Sequence, residues 1–278
     1  MVTADEPLVS VIMPVYNGER HVSDAVESIL KQRYTNFELL ILDNGSTDNT
    51  PKLLTDFAQR DGRIRILHEP KPLGYGGEVA SNIAARQAKG EFIAKLDADD
   101  VAMPDRLTQQ VRYLQQHPDV FLVGSQLTLI DETGRVTGKR AYPITHEEIY
   151  KEFYLRFPIA NPAVMYRNTL KEDLYQIQFA HFNDYYSLFR LLQAGYRMCN
   201  LPEALTAYRI HTTNTVFTNL RAKWQTNVAI KNQFIKEFGY TAPVLDRVKI
   251  AVITAVINLF PEWILIKSMN TARQLIKA

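Results

Sequence analysis

Three carboxylates stand within four residues at Asp97-Ala98-Asp99-Asp100, directly after the strand-like run Phe92–Leu96. Carboxylates that close repel one another, so a fold sets them at a strand end only when something offsets the charge. A hard divalent cation does this, because Mg²⁺ or Mn²⁺ takes oxygen ligands and shares them with substrate phosphates. The carboxyl ends of strands are also where open α/β sheets bind ligands. A plainer reading stands beside it, in which Asp99 or Asp100 caps a helix opening near Pro104.

The elements that must position these acids follow from periodicity. Val9–Met13 is a short apolar run of the kind buried on both faces of a parallel sheet, and it ends in Pro14-Val15-Tyr16-Asn17-Gly18. Phe37–Leu42 is a second such run, ending in Asp43-Asn44-Gly45-Ser46-Thr47-Asp48. Between them Val22, Ala25, Val26, Ile29 and Leu30 mark one helical face. Thr50-Pro51 reads as N-cap and first residue of the next helix, whose apolar face is Leu53, Leu54, Phe57 and Ala58. Arg63–Leu67 is a short third strand. The loop holding Gly74, Gly76 and Gly77 opens a third helix, which Gly90 stops.

Four strands thus alternate with three helices over short crossovers, which predicts a parallel, doubly wound sheet. The clusters Tyr16-Asn17, Asp43-Asn44 and Asp97-Asp99-Asp100 all fall at C-terminal strand ends, hence on one edge of that sheet. Chance would scatter them over both edges, so their co-location favours a ligand site over helix capping.

Farther on, Val120–Ile130 reads as a strand and Asp131–Gly134 as a turn into Arg135–Tyr142. Thr145 with Glu148 three residues later is a capping box, starting a helix to about Leu155. Asn161-Pro162 leads into another strand. Asn183-Asp184 precedes a helix through Leu188, Leu191 and Leu192 that Gly195 ends, and Leu205–Ile210 reads as an edge strand entering His211. From Asn219 onward the pattern is helical, interrupted at Pro243 and Pro261.

Composition bounds the function. The chain has 278 residues, enough for one large domain with an appendage, and at 46% hydrophobic and 22% charged it reads as an ordinary globular protein. A net charge of +2 argues against nucleic acid as a partner. One cysteine, Cys199, excludes an intramolecular disulfide and suits a reducing, cytoplasmic setting. Met1–Pro7 carries Asp5 and Glu6 and lacks the apolar core of a signal peptide. No run reaches the roughly 18 apolar residues of a spanning helix.

Several linked motifs now matter together: Val-Ser-Val-Ile-Met-Pro-Val-Tyr-Asn, Leu-Asp-Asn-Gly-Ser-Thr-Asp, Ala-Lys-Gly-Glu-Phe-Ile-Ala-Lys-Leu-Asp-Ala-Asp-Asp, Asn-Asp-Tyr-Tyr-Ser-Leu-Phe-Arg and Tyr-Arg-Ile-His. In this order, over roughly residues 8–214, the chain resembles the family 2 glycosyltransferases, and its later motifs resemble bacterial enzymes of lipooligosaccharide, capsule or O-antigen synthesis. The resemblance implies a GT-A fold with a Rossmann-like, mostly parallel sheet and inverting transfer of a hexose or N-acetylhexosamine from a nucleotide donor. It implies a catalytic domain over 1–215, with a nucleotide-sugar half at about 1–100 and an acceptor half at about 101–215. A helical extension occupies 216–278.

Carried over by position, Pro14 and Tyr16 would line the nucleobase pocket, and Asp43 and Asn44 would sit beside the base. Asp97 and Asp99 match the family's Asp-X-Asp pair, Asp99 binding Mg²⁺ or Mn²⁺ and Asp97 reaching the ribose or the metal shell. Asp184 aligns with the catalytic base, while Arg209 and His211 fall where relatives meet the diphosphate or its metal. The implied partners are a UDP-sugar and a glycan or lipid-linked acceptor. Departures include Asn44 where many relatives have Asp; its amide oxygen can still accept from uracil, so UDP stays open beside dTDP, GDP or another donor. Pro72, Ser81 and Asn183 replace the usual Asn, Arg and Glu. The Gln-X-X-Arg-Trp motif of processive synthases is lacking, which implies single-sugar addition.

Each residue also has a bland reading: Tyr16 as a sheet-edge aromatic, Asp184 as a helix cap, His211 as a packing residue, and the aromatics of Tyr150–Phe157 as core. His21, His68, His117, His146 and His181 show no metal-ligand spacing. The segment Ile250–Phe260, Pro261-Glu262-Trp263 and Ile266, flanked by Lys249, Lys267, Arg273 and Lys277, reads either as helices packed on the domain or a homodimer partner, or as a peripheral surface on the inner face of a membrane. Two rival functions are a nucleotidyltransferase, which would want a Gly-rich basic phosphate loop where Val15–Glu19 stands, and a non-catalytic nucleotide-sugar-binding module.

Overall fold

The computed structural model describes residues 6–211, 219–262 and 265. Its strands are β1 (Val9–Val15), β2 (Phe37–Asn44), β3 (Ile64–Glu69), β4 (Phe92–Lys95), β5 (Val101–Ala102), β6 (Val120–Ile130), β7 (Val136–Arg140), β8 (Met165–Arg167) and β9 (Arg197–Arg209). They form one sheet in the order β3-β2-β1-β4-β8-β6-β9-β5, with β7 paired to β6. The four strands expected from alternation are parallel to one another, because each returns through a helical crossover. Beyond β4 the directions mix: β8 is antiparallel to β4 and β6, β6 and β9 run parallel, and β5 is antiparallel to β9.

The helices are α1 (Val22–Leu30), α2 (Thr50–Arg60), α3 (Glu78–Arg86), α4 (Arg106–Gln116), α5 (His146–Glu152), α6 (Asn183–Gln193), α7 (Leu220–Phe238) and α8 (Val244–Leu259). Alternate residues of the central strands feed two cores, one on each face of the sheet. Val11, Met13, Leu39 and Ile41 pack with the apolar faces of α1 and α4. Ile12, Leu40 and Leu42 pack on the other side with α3, α6 and α7. There Phe234 stacks on Phe189 with ring centroids 3.5 Å apart, which clamps α7 to α6. Phe153 and Tyr154 belong to the same core, so the core reading of that aromatic stretch holds for both.

Several local expectations are corrected. The N-cap of α2 is Asn49 rather than Thr50, because the Thr50 hydroxyl instead accepts the Gly18 N–H at 2.8 Å and ties the first loop to the second. Asp105, not Asp99 or Asp100, precedes α4. Gly90 does not terminate α3, which ends at Arg86; a Cβ there would lie 2.5 Å from Ser10 N, so the glycine permits close strand approach. Leu205–Ile210 is not an edge strand, since β9 pairs with β6 on one side and with the two-residue β5 on the other. The capping box is present, Thr145 Oγ1 accepting the Glu148 N–H at 3.2 Å and Glu148 Oε2 the Thr145 N–H at 3.1 Å, though α5 stops at Glu152. Trp263, Ile266, Lys267, Arg273 and Lys277 lie outside the described residues.

Candidate functional site

The ends of β1, β2 and β4 meet at one edge of the sheet, as their common direction requires. The loops there are laced together by short side chains. Asn17 Oδ1 accepts the Thr47 N–H at 2.8 Å, and Ser46 Oγ accepts the Asn17 N–H at 2.9 Å. Asp43, 1% exposed, accepts the Ser46 N–H at 3.0 Å through Oδ1 and lies 3.2 Å from His68 Nδ1 through Oδ2. Asn44 Oδ1 accepts the Leu73 N–H at 2.9 Å and pins the Gly-rich loop to the strand end. Gly45, at φ +77°, has the Lys71 carbonyl carbon 2.7 Å from where a Cβ would stand, so no side chain fits.

The acidic cluster is compensated by buried cations of the chain itself. Lys95, 4% exposed, forms an ion pair with Asp97. Arg106, fully buried, donates to the Lys95 carbonyl at 2.6 Å and the Val164 carbonyl at 3.2 Å; burial lowers its pKa to about 10 even with Asp100 and Asp97 close by. Asp100 is fully buried; its Oδ1 accepts the Arg209 N–H at 2.9 Å, and its Oδ2 has no hydrogen-bond partner. Burial first, then the neighbouring Asp99 and Asp97, raises its pKa well above the carboxylate range.

Arg209 is a strut. Only 2% exposed, it donates to the Asp99 carbonyl at 2.8 Å, the Glu132 carbonyl at 3.2 Å and Asp24 Oδ2 at 3.0 Å. With its guanidinium bonded to the Asp99 and Glu132 carbonyls and to Asp24 of α1, Arg209 is placed to position Asp99. His211 Nε2 lies 2.9 Å from Asp99 Oδ2, and the His21 ring stands 5.8 Å from that of His211. Burial, then Arg209 and His211, pushes the His21 pKa down.

Asp184 comes from α6. It lies within the first turn of α6, and the residue at the cap position is Phe182 in a left-handed conformation at φ 62°. Asp184 is therefore not the N-cap; its Oδ1 accepts the N–H of the next residue, Tyr185, at 2.8 Å. Burial raises its pKa, Lys95 pulls it down and Asp97 pushes it up, which places all three in one electrostatic neighbourhood. Glu78, in the first turn of α3, is the fourth member. It is 9% exposed, its Oε2 has no hydrogen-bond partner, and burial followed by the Asp184 carboxylate pushes its pKa up to about 8.

The whole edge encloses a cleft of about 910 Å³. Of the residues singled out from the sequence, Pro14, Tyr16, Asn44, Asp97, Asp99 and His211 line it, together with Gly74, Gly76 and Gly77. Tyr16 is 51% exposed, its ring unencumbered for stacking. Asp43 and Arg209 stand behind the wall and hold its loops. Sequence reasoning missed His21, His68, Glu78, Lys95 and Arg106. A lysine inside an otherwise apolar strand was the one available signal; the others depend on which loops meet.

Asp99 and His211 suit a divalent cation. Their donor atoms are 2.9 Å apart, and two adjacent ligands of an octahedral ion, each at about 2.1 Å from it, keep about 3 Å between them. No group of three or more His, Cys, Asp or Glu is placed to hold a metal among the described residues. The remaining ligands would then be water and substrate phosphate, the usual state of Mg²⁺ sites.

Comparison with known proteins agrees with this geometry. A family model described as glycosyl transferase family 2 matches residues 10–177. The UDP-Glc:alpha-D-GlcNAc-diphosphoundecaprenol beta-1,3-glucosyltransferase WfgD of Escherichia coli is 34% identical over 226 residues, covering 79% of this chain and 85% of that protein. Staphylococcus aureus TarS 1–349 in complex with UDP-GlcNAc superposes with a TM-score of 0.64 at 19% identity. The match covers 82% of this chain and 66% of TarS 1–349, so the chain spans just under two thirds of that length. The mannosyltransferase PcManGT of Pyrobaculum calidifontis, in complex with GDP-Man and Mn²⁺, gives 0.59 at 18% identity, covering 97% and 76% of the two chains. These likenesses identify the fold as GT-A.

Proposed function

From the premise that the chain belongs to glycosyl transferase family 2 and is a glycosyltransferase of GT-A fold, we propose that it moves one hexosyl or N-acetylhexosaminyl unit from a UDP-sugar to a hydroxyl of a glycan or lipid-linked acceptor, with inversion. The observation that carries this is the Asp99–His211 pair lining the cleft, with Asp184, which does not itself line it, in the electrostatic neighbourhood of Asp97 and Lys95. The printed name of WfgD, with its diphosphoundecaprenol-linked acceptor, supports a lipid-linked acceptor and surface polysaccharide synthesis as the setting.

In this proposal Tyr16 stacks on the nucleobase or ribose and the Asn44 amide edge meets the base, with Pro14 closing the pocket. Asp97, held by Lys95, hydrogen-bonds the ribose. A Mg²⁺ or Mn²⁺ ion held by Asp99 and His211 would stabilise the charge that builds on the diphosphate. The acceptor hydroxyl loses its proton to Asp184 as its oxygen bonds to the anomeric carbon. The bond from that carbon to the β-phosphate oxygen breaks, and its electron pair leaves with the diphosphate. Burial and the Asp184 carboxylate disfavour the charged form of Glu78, which makes it a poor nucleophile and favours one displacement over two.

Thermal-shift binding of UDP, GDP, dTDP and CDP, with and without Mn²⁺, tests the donor site in wild type and Asp99→Ala. A rise in melting temperature with UDP, dependent on Mn²⁺ and lost in Asp99→Ala, is expected. A metal-independent rise, or a rise with GDP alone, would overturn the donor and metal assignments.

A further inference from the structure

Helix α8 lies against α7 on one side only. Ile250 and Ile257 are 6% and 8% exposed, and the Thr254 hydroxyl accepts the Trp224 indole N–H at 3.0 Å. On its other side Val244, Leu245, Val248, Val252, Val256 and Leu259 are 74%, 74%, 53%, 57%, 40% and 77% exposed. At 100° per residue these six fall within one contiguous arc along the helix. Eight of the 13 exposed large apolar side chains among the described residues lie between Val244 and Phe260. A monomer rarely leaves so continuous an apolar face in water.

Charge selects the occupant. Residues 216–278 hold nine Lys and Arg against three Asp and Glu; with Lys223 and Lys231 buried, seven against three remain, a formal +4. A second copy meeting α8 through a two-fold axis would bring two such positive segments together. A membrane rich in anionic lipid is attracted instead. The helix has 16 residues, about 24 Å at 1.5 Å per residue, short of the roughly 30 Å hydrocarbon core. No helix among the described residues is long and apolar enough to cross.

We propose that the bare face of α8 docks on an anionic phospholipid surface, lying in the interface with its valines and leucines among the acyl chains and the basic extension at the headgroups. The assignment is independent of which donor or acceptor the cleft takes. It would hold the enzyme at the surface where a lipid-linked glycan is presented.

The test is flotation of the full-length protein with vesicles of equimolar phosphatidylglycerol and phosphatidylcholine, and with phosphatidylcholine alone. Wild type should float with the anionic vesicles only, less so at high salt. The double variant Val248→Asp, Val252→Asp should lose about tenfold or more of its vesicle-bound fraction. Because both valines are exposed, its melting temperature should match wild type, and that comparison excludes misfolding as the cause. Equal flotation of variant and wild type, equal flotation on neutral vesicles, or none at all would each overturn the proposal. So would a concentration-dependent dimer that the double variant abolishes, seen without flotation.

Discussion

Asp99 and His211 are 112 residues apart in sequence and 2.9 Å apart in space. The device that joins them is β5, only two residues long, whose Val101 pairs with Ala207 and Ala102 with Thr206. An antiparallel pair in that register brings the residue two before Val101 toward the end of β9. Arg209 then locks the arrangement through the Asp99 carbonyl.

If this pair is the protein's share of a divalent site, His211→Ala should raise the Mn²⁺ concentration needed for half-maximal turnover. Asp99→Asn should lower kcat/KM by about a hundredfold or more, and chelation of wild type should have a comparable effect. An unchanged Mn²⁺ titration in His211→Ala would remove the histidine from the site.

Asp184→Asn should reduce turnover by about 10²- to 10⁴-fold, the usual contribution of a general base, while leaving the nucleotide-induced thermal shift intact. The pH profile carries a second check. The base works only when ionised, so the rate should rise with pH, and because burial raises the Asp184 pKa that rise should fall above the ordinary carboxylate range. An acid limb at the usual aspartate value of about 3.9 would contradict the assignment.

Glu78 links the same neighbourhood to stability. Its folded pKa of about 8 lies above the ordinary 4.5, so between those values the folded state holds a proton there that the unfolded state has released. Its contribution to stability is therefore fully present at low pH and is lost as pH rises from about 4.5 through 8. Glu78→Gln, which cannot ionise, should flatten that slope and melt progressively higher than wild type toward pH 8. Parallel melting curves for the two proteins between pH 5 and pH 8 would sink the idea.

Arg209→Met tests the strut. The variant leaves the Asp99 and Glu132 carbonyls without that donor, at about 1–3 kcal/mol each, while Asp24, 62% exposed, returns to water, so the melting temperature should fall by several degrees. Asp99 loses its carbonyl anchor at the same time, and the variant should need more Mn²⁺ than wild type. A variant with full stability and an impaired response to nucleotide alone would restore the direct diphosphate contact.

Much of the fold was legible because its signals are local. Buried strands reading as apolar runs, Thr145 with Glu148, and polar clusters at three strand ends each sit within a few residues of chain. The parallel β1–β4 half of the sheet and the edge carrying the site follow from alternation alone. The Asp-X-Asp pair and Asp184 were recognisable for the same reason, as short motifs in order. Tertiary structure decided which charges meet. Lys95 and Arg106 reach Asp97 and Asp100 from two separate elements, and Arg209 bonds the Asp99 carbonyl from a third. Glu78 and Asp184 come together from helices more than a hundred residues apart. A two-residue strand has no period to detect, and a charge buried by distant loops leaves no local mark; both exist only once the chain has closed on itself.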